Sequence, residues 1–269
     1  GALAFTRQSF VGLKGDWGTV TLGRQYDFLF VNVLPLSSEM FVGGLASGTA
    51  GGPGGTAGST NILDVHFGGV RHNSAIKWVK PFGPVTVGLM YGDGLETTTP
   101  GYSNKMSSAL LSYKDGPLAV GIAWVEDDYN AANSGNVANR VVAVKATYKL
   151  GAYTLLGNYA DGSSINSRAT NKPLELGLAY NPSVNLTLGI ALGRADVTNA
   201  AGAGTTVSQV NLGAIYGFSK RTSVYTMLGA NNSANAAVYR GFVGGPGGAT
   251  AASSGASQMA TRVGITHTF

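Results

Sequence analysis

Cysteine is absent from the 269 residues, so the chain has no disulfide framework, no thiolate metal site and no cysteine nucleophile. Charge is scarce as well. Asp, Glu, Lys and Arg together make up 12%, about half of what a water-soluble domain carries, and a surface with so little charge is not built to face water everywhere. Basic residues outnumber acidic ones, 18 to 13, for a formal net charge of +5, yet they are spread singly. The densest basic spot is Lys220-Arg221, so there is no stripe for tracking phosphates and no nucleic-acid partner is expected. Long hydrophobic runs are missing too. The two longest uncharged stretches, 40–63 and 197–219, are broken by Gly, Ser, Thr and Asn, which excludes a transmembrane helix. Neither an initiator Met nor a signal peptide opens the sequence, which starts inside what reads as a folded element.

What is present is alternation. Val85, Val87, Leu89 and Tyr91 alternate with Thr86, Gly88 and Met90; Leu174, Leu176, Leu178 and Tyr180 alternate with Glu175, Gly177 and Ala179; Leu186, Leu188, Ile190 and Leu192 alternate with Thr187, Gly189 and Ala191. Period-two patterning of this kind marks strands with one apolar face and one small or polar face. Thirteen such strands are expected, near 4–14, 18–25, 73–82, 84–92, 105–114, 117–127, 140–150, 152–161, 172–181, 185–197, 207–218, 222–232 and 258–269.

Their connections alternate between short and long. Gly15-Asp16-Trp17, Phe82-Gly83, Asp115-Gly116, Gly151, Pro182-Ser183-Val184 and Lys220-Arg221 are tight turns, whereas 26–72, 93–104, 128–139, 162–171, 198–206 and 233–257 are long and rich in Gly and Asn. All long loops therefore lie at one end of an antiparallel meander. That is the design of an outer-membrane barrel, with short periplasmic turns, longer extracellular loops and aromatic girdles. Tyr91, Tyr113, Trp124, Tyr148, Tyr180 and Tyr216 stand near strand ends on the apolar face. Closure is physically required, because in hydrocarbon each unpaired backbone group costs several kcal/mol. The expectation is an all-β chain: a single domain over 1–269, an antiparallel transmembrane β-barrel with thirteen strands here. An odd count conflicts with an even ring, so an N-terminal piece of three strands is expected to be missing from a barrel of sixteen.

Three anchors carry a family resemblance. The segment from Phe5-Thr6-Arg7-Gln8-Ser9-Phe10 through Gly15-Asp16-Trp17-Gly18 to Leu22-Gly23-Arg24-Gln25 resembles the strand-turn-strand before the third loop of the general porins of beta-type Gram-negative bacteria. The end, Val263-Gly264-Ile265-Thr266-His267-Thr268-Phe269, is similar to that family's last strand, and Ser219-Lys220-Arg221-Thr222 to its last periplasmic turn. Thr266 stands where the family often has a basic residue. The resemblance implies a homotrimeric, water-filled diffusion pore in the bacterial outer membrane, in contact with outer-membrane lipid and lipopolysaccharide. It would pass ions and small hydrophilic solutes, with no cofactor and the third loop folded inward. The long connection 26–72 suits that role, since loops of such length are normally functional.

Selectivity in a pore comes from its diameter and from the charges at the constriction. Arg7 and Arg71 fall at positions resembling two arginines of the family's eyelet, and Asp27, Glu39 and Asp64 lie on the loop side. A basic wall opposite an acidic loop would set a transverse field, and the basic excess points to a preference for anions. Arg7 shares the parity of Val11 and Leu13 and reaches the lumen only through a bulge or twist; the plain reading of Arg71 is a solvated loop charge, and of Asp27 and Glu39 pairing within the loop. Lys77, Lys145, Glu175 and Arg262 are placed in the lumen by alternation, as is Arg24 with the same parity doubt as Arg7. Glu126, Asp127, Asp128, Asp93 and Glu96 lie at strand tops or in outer loops.

No enzyme is expected. His66 and His72 lie in the long loop and His267 near the C-terminus, no spacing resembles a zinc site, and there is no Gly-x-Ser-x-Gly elbow. The two Gly-Gly-Pro-Gly-Gly runs, 51–55 and 244–248, lack the Lys-Ser/Thr of a phosphate loop. The rival reading is a soluble or surface-attached β-rich adhesion module whose Gly/Asn-rich loops are binding tips.

Overall fold

The computed structural model describes residues 8–29, 71–93, 105–127, 139–165, 168–198, 201–233 and 258–269. They form one thirteen-stranded antiparallel sheet in which every strand pairs with its sequence neighbours. The strands are β1 (Ser9–Gly15), β2 (Gly18–Tyr26), β3 (Arg71–Phe82), β4 (Val85–Gly92), β5 (Met106–Asp115), β6 (Leu118–Asp127), β7 (Asn139–Leu150), β8 (Tyr153–Ser164), β9 (Thr170–Ser183), β10 (Leu186–Thr198), β11 (Gly204–Gly217), β12 (Thr222–Ser233) and β13 (Gln258–His267). Number and order agree with the alternation. Boundaries differ at the loop ends: β8 runs to Ser164 rather than 161, β11 starts at Gly204 rather than 207, and β3 starts at Arg71 rather than 73, so His72 belongs to a strand. Among the described residues the sheet is open, with β1 and β13 as its edges, and no helix is long and apolar enough to cross a membrane.

Each tight turn folds for a local reason. At Gly116 the backbone φ is +52°, a left-handed value that costs a side chain Cβ contact but suits glycine. Pro117 follows, and its carbonyl accepts from Lys149 N at 3.0 Å on β7, tying the turn to the next strand.

The two faces of the sheet differ sharply. On one face, here the outer face, large apolar side chains stand exposed: Leu176 at 59%, Leu192 at 53%, Leu155 at 49%. On the inner face Ala123, Ala143, Ala179, Ala191 and Ala195 are buried, together with the polar Asn158, Glu175, Gln209 and Asn211. A water-soluble sandwich buries its leucines and exposes its asparagines; this sheet does the reverse, which is the arrangement of a wall with hydrocarbon outside. The adhesion-module reading fails on that inversion.

The outer face also marks its own depth. At the turn end aromatic rings cluster: Tyr153 stacks on Tyr180 with centroids 4.7 Å apart, and Tyr216 meets Phe218 edge to face at 5.2 Å. At the loop end the outer face becomes charged, with Arg140 Nε donating to Glu126 Oε2 at 2.8 Å and Lys172 Nζ lying 3.0 Å from Asp161 Oδ2. Along β8 the distance from Tyr153 to Asp161 is about 27 Å at the usual strand rise. At a typical tilt this gives about 20 Å of height, a little under the apolar band of outer-membrane barrels, about 25 Å.

Candidate functional site

The loop-side ends of β2 and β3 gather a cluster of interacting polar groups, and they do so because the pairing there is irregular. Gly23 pairs with Ala75 but Gln25 pairs with His72, so β3 carries one residue more than β2 between these pairs. Ser74, inside that bulge, has φ of +47°. Bulges re-aim side chains near functional sites, and this one brings His72 to the inner face opposite the buried Gln25. Gln25 closes the gap by donating through Nε2 to the carbonyls of Ala75 at 3.1 Å and Thr21 at 3.2 Å, while Thr21 Oγ1 donates to its Oε1 at 2.6 Å.

Immediately after β2, Asp27 is fully buried, and its Oδ2 lies 3.3 Å from His72 Nε2. The chain then turns over the inner face. Phe28 and Leu29 are buried at 1% and 0% in a cluster with Ala75, Met90, Met106 and Leu110. Phe28 N donates to Ser108 Oγ at 3.4 Å, and Ser108 Oγ donates onward to Trp124 O at 2.9 Å. The ring of Phe28 sits on Gly88, where an added Cβ would come within 2.4 Å of Cζ, so only glycine permits this approach. From the neighbouring strand Lys77 Nζ donates to Tyr26 O at 2.9 Å and lies 4.4 Å from the Phe28 ring centroid. The long connection therefore leaves β2 over the inner wall, held there by a lysine, an aspartate and an aromatic ring.

The charges named from the sequence fall into several places. Arg71 begins β3, exposed, with its guanidinium carbon 5.9 Å from the Tyr26 ring centroid. Asp27 and Lys77 belong to the cluster just described. Arg24 keeps the parity of Leu22, is half-buried, and donates through Nη1 to Asn73 Oδ1 in the bulge. Lys145 and Glu175 are on the inner face of β7 and β9, far along the sheet from the bulge. Arg262 is on β13 opposite Met227. Arg7, Glu39 and Asp64 lie outside the described residues. Sequence reasoning missed His72, Gln25, Phe28 and Ser108. The available signal was slight: a histidine next to Arg71 at the expected end of the loop. Among the described residues no group of three or more His, Asp or Glu could hold a metal ion.

The comparisons agree with this geometry. A family model described as Gram-negative porin matches residues 1–236. Among solved structures, an anion-selective porin from Comamonas acidovorans is similar at 21% identity and a TM-score of 0.73, covering 98% of this chain and 78% of that one. The trimer form of in-vitro folded OmpT from Vibrio cholerae is similar at 17% identity and a TM-score of 0.64, over 96% and 79%. Salmonella typhi OmpF in complex with daunomycin is similar at 16% identity and a TM-score of 0.62, over 96% and 77%. No curated protein matches the chain. At these identities the structural likenesses speak for the fold, and the family model speaks for the kind of protein. A meander of amphipathic strands with leucines outside and a connection that starts across the inner wall is an outer-membrane channel of bacteria, and the chain belongs to the Gram-negative porins.

Proposed function

We propose that this porin is a passive general-diffusion pore whose connection 26–72 narrows the channel and whose constriction is lined by charges of both signs. The observation that carries this reading is the burial of Phe28 and Leu29 against Gly88, Met90 and Met106 on the inner face, because a loop that begins across the wall reduces the open cross-section. Asp27 and Arg71 supply an acidic and a basic group at the two roots of the connection, and Arg7, Glu39 and Asp64 are proposed as the further constriction charges. Lys77, Lys145, Glu175 and Arg262 are proposed to line the lumen and to set its field, while Arg24, on the side of Leu22, is proposed only to border it beside the bulge. The chain requires no cofactor, and nothing in its chemistry calls for catalysis.

Three finer features are proposed with it. Anions are preferred, in keeping with the net charge of +5 and with the anion-selective Comamonas porin. Three copies assemble, as in the trimer form of OmpT. Lipopolysaccharide headgroups meet the charged rim formed by Glu126 with Arg140 and Asp161 with Lys172. The test is electrical. Reconstituted into planar bilayers under a salt gradient, the protein is expected to give ohmic single-channel steps and a reversal potential of anion sign; a reversal potential of cation sign rejects the preference, and absence of steps rejects the pore.

A further inference from the structure

The two ends of the wall carry different charge. Six basic side chains stand in or beside the tight turns, Lys14, Lys80, Lys114, Lys149, Lys220 and Arg221, against two acidic ones, Asp16 and Asp115. Among the described residues none of these eight forms an ion pair. At the loop end both signs occur and pairs form: Arg140 meets Glu126, Lys172 meets Asp161 and His72 meets Asp27. The long connections, which join strands at that end, add Glu39, Asp64, Glu96 and Asp128 in sequence against Arg240. The basic excess of the chain is thus concentrated at the turns.

Strand direction and parity bring three of these lysines to one side of the wall. β1, β5 and β7 all run towards the turns, and each closes on an outward apolar or aromatic side chain followed by a lysine: Leu13-Lys14, Tyr113-Lys114 and Tyr148-Lys149. The lysines take the opposite parity. On β5 it is that of Leu110 in the inner cluster, on β7 that of Lys145 and Thr147, and on β1 that of Gly12, which pairs with Thr21 and so lies in line with Lys77. Tyr113 and Tyr148, exposed on the outer face, belong to the girdle that marks the edge of hydrocarbon. The residue after each therefore stands in the water of the mouth, and Lys14, Lys114 and Lys149 are all exposed. Lys80 has the outward parity of Trp78, with its Nζ 5.0 Å from the Phe82 ring centroid, and belongs to the lipid side.

Like charges gathered round one opening repel each other and do not stabilise the fold, whereas a mouth lined by one sign concentrates counter-ions. Nothing exposed offsets the lysines further up the lumen, because among the described residues the inner-face carboxylates above the turns, Asp27, Asp127 and Glu175, are buried. Lys14 and Lys149 are six strand spacings apart, about 29 Å along the wall. At 0.01 M salt the screening length is about 30 Å, so the lysines act together on an entering ion; at 1 M it is about 3 Å and they do not.

We propose that this unpaired basic arc, with Lys14, Lys114 and Lys149 on its lumen side, is an anion-collecting vestibule that makes the pore pass anions more readily from the turn side than from the loop side. The turn side is the periplasmic one in an outer-membrane barrel. The proposal rests on the pore reading above and places part of the selectivity outside the constriction.

The test uses single channels of the full chain in bilayers of uncharged phosphatidylcholine, with the same KCl concentration on both sides. Orientation is read from a biotin on Val184→Cys, an exposed turn position that streptavidin reaches only from the turn side. At 0.01 M the current with chloride entering from the turn side is expected to exceed the reverse current by about twofold, and at 1 M the ratio is expected to be close to one. Lys14→Gln/Lys114→Gln/Lys149→Gln is expected to abolish the ratio at 0.01 M, and Lys80→Gln to leave it intact. Lys149→Gln alone, with a partial loss, provides a second reading should the triple variant fail to insert. The vestibule is overturned by a wild-type ratio of one or of the opposite sense at 0.01 M, by a ratio that survives the lysine replacements, or by an equal loss in Lys80→Gln. A wild type without current steps at 1 M would instead sink the pore reading, so the two failures are separable.

Discussion

Asp27 and His72 meet at 3.3 Å, a fully buried carboxylate against an imidazole 9% exposed, at the point where the long connection leaves β2 and rejoins β3. The two ends of the connection are thereby joined through side chains as well as through the β2–β3 ladder. Replacing one partner leaves the other buried without it, a penalty of about 1–3 kcal/mol. Asp27→Ala is expected to preserve the barrel, read as unchanged strand content by circular dichroism, and to accelerate proteolytic cutting within 30–70. Cutting at the wild-type rate would contradict the tie.

Phe28 and Gly88 give a sharper prediction, because each exists for the other. An added Cβ at position 88 would overlap the ring at 2.4 Å. Gly88→Ala alone is expected to cost about 1–3 kcal/mol by overpacking, and the same change in a Phe28→Ala background almost nothing. Urea unfolding of the four proteins of this cycle in lipid measures the coupling; additive costs would show that the ring does not rest there.

The two faces predict opposite tolerance within one stretch of wall. Leu176, 59% exposed on the outer face, is expected to cost about 2–4 kcal/mol when replaced by Arg, since a cation there faces lipid. Thr147→Arg, on the inner face one line closer to the turns than Lys145, is expected to leave stability nearly unchanged and to strengthen anion preference. Equal losses of folding at both sites would mean that the assignment of faces is wrong.

Arg71 tests the field at the constriction. Arg71→Glu reverses a charge at the root of the connection, and the anion-to-cation permeability ratio from reversal potentials is expected to fall severalfold at low salt, with less effect at 1 M, where the screening length drops to about 3 Å. An unchanged ratio at low salt would make Arg71 a solvated rim charge.

Much of this architecture was legible in the residues alone. Strand number, the short turns and the face carried by Leu174, Leu176 and Leu178 follow from a period of two, which is a local property of the chain. Height and lateral neighbours are not local. Nothing in the spacing of Asp27 and His72 reports that a bulge at Ser74 shifts β3 by one residue and brings the imidazole to the inner face. The seat of Phe28 on Gly88 depends on which glycine of the β4 alternation lies beside the loop root. Arg24 illustrates the limit of parity itself, for it stays on the side of Leu22 and its partner, Asn73, comes from the bulge.

Absence of cysteine makes the central claim directly measurable, since any introduced thiol is the only one in the chain. Single cysteines placed in turn at Val142, Val144, Lys145 and Thr147 of β7, in the reconstituted full chain, are exposed to a membrane-impermeant thiol reagent while ionic current is recorded. Lys145→Cys and Thr147→Cys are predicted to react and to lower the current in steps, and Val142→Cys and Val144→Cys to stay unmodified because they face acyl chains. Modification at the valine positions with protection at 145 and 147 would contradict the account.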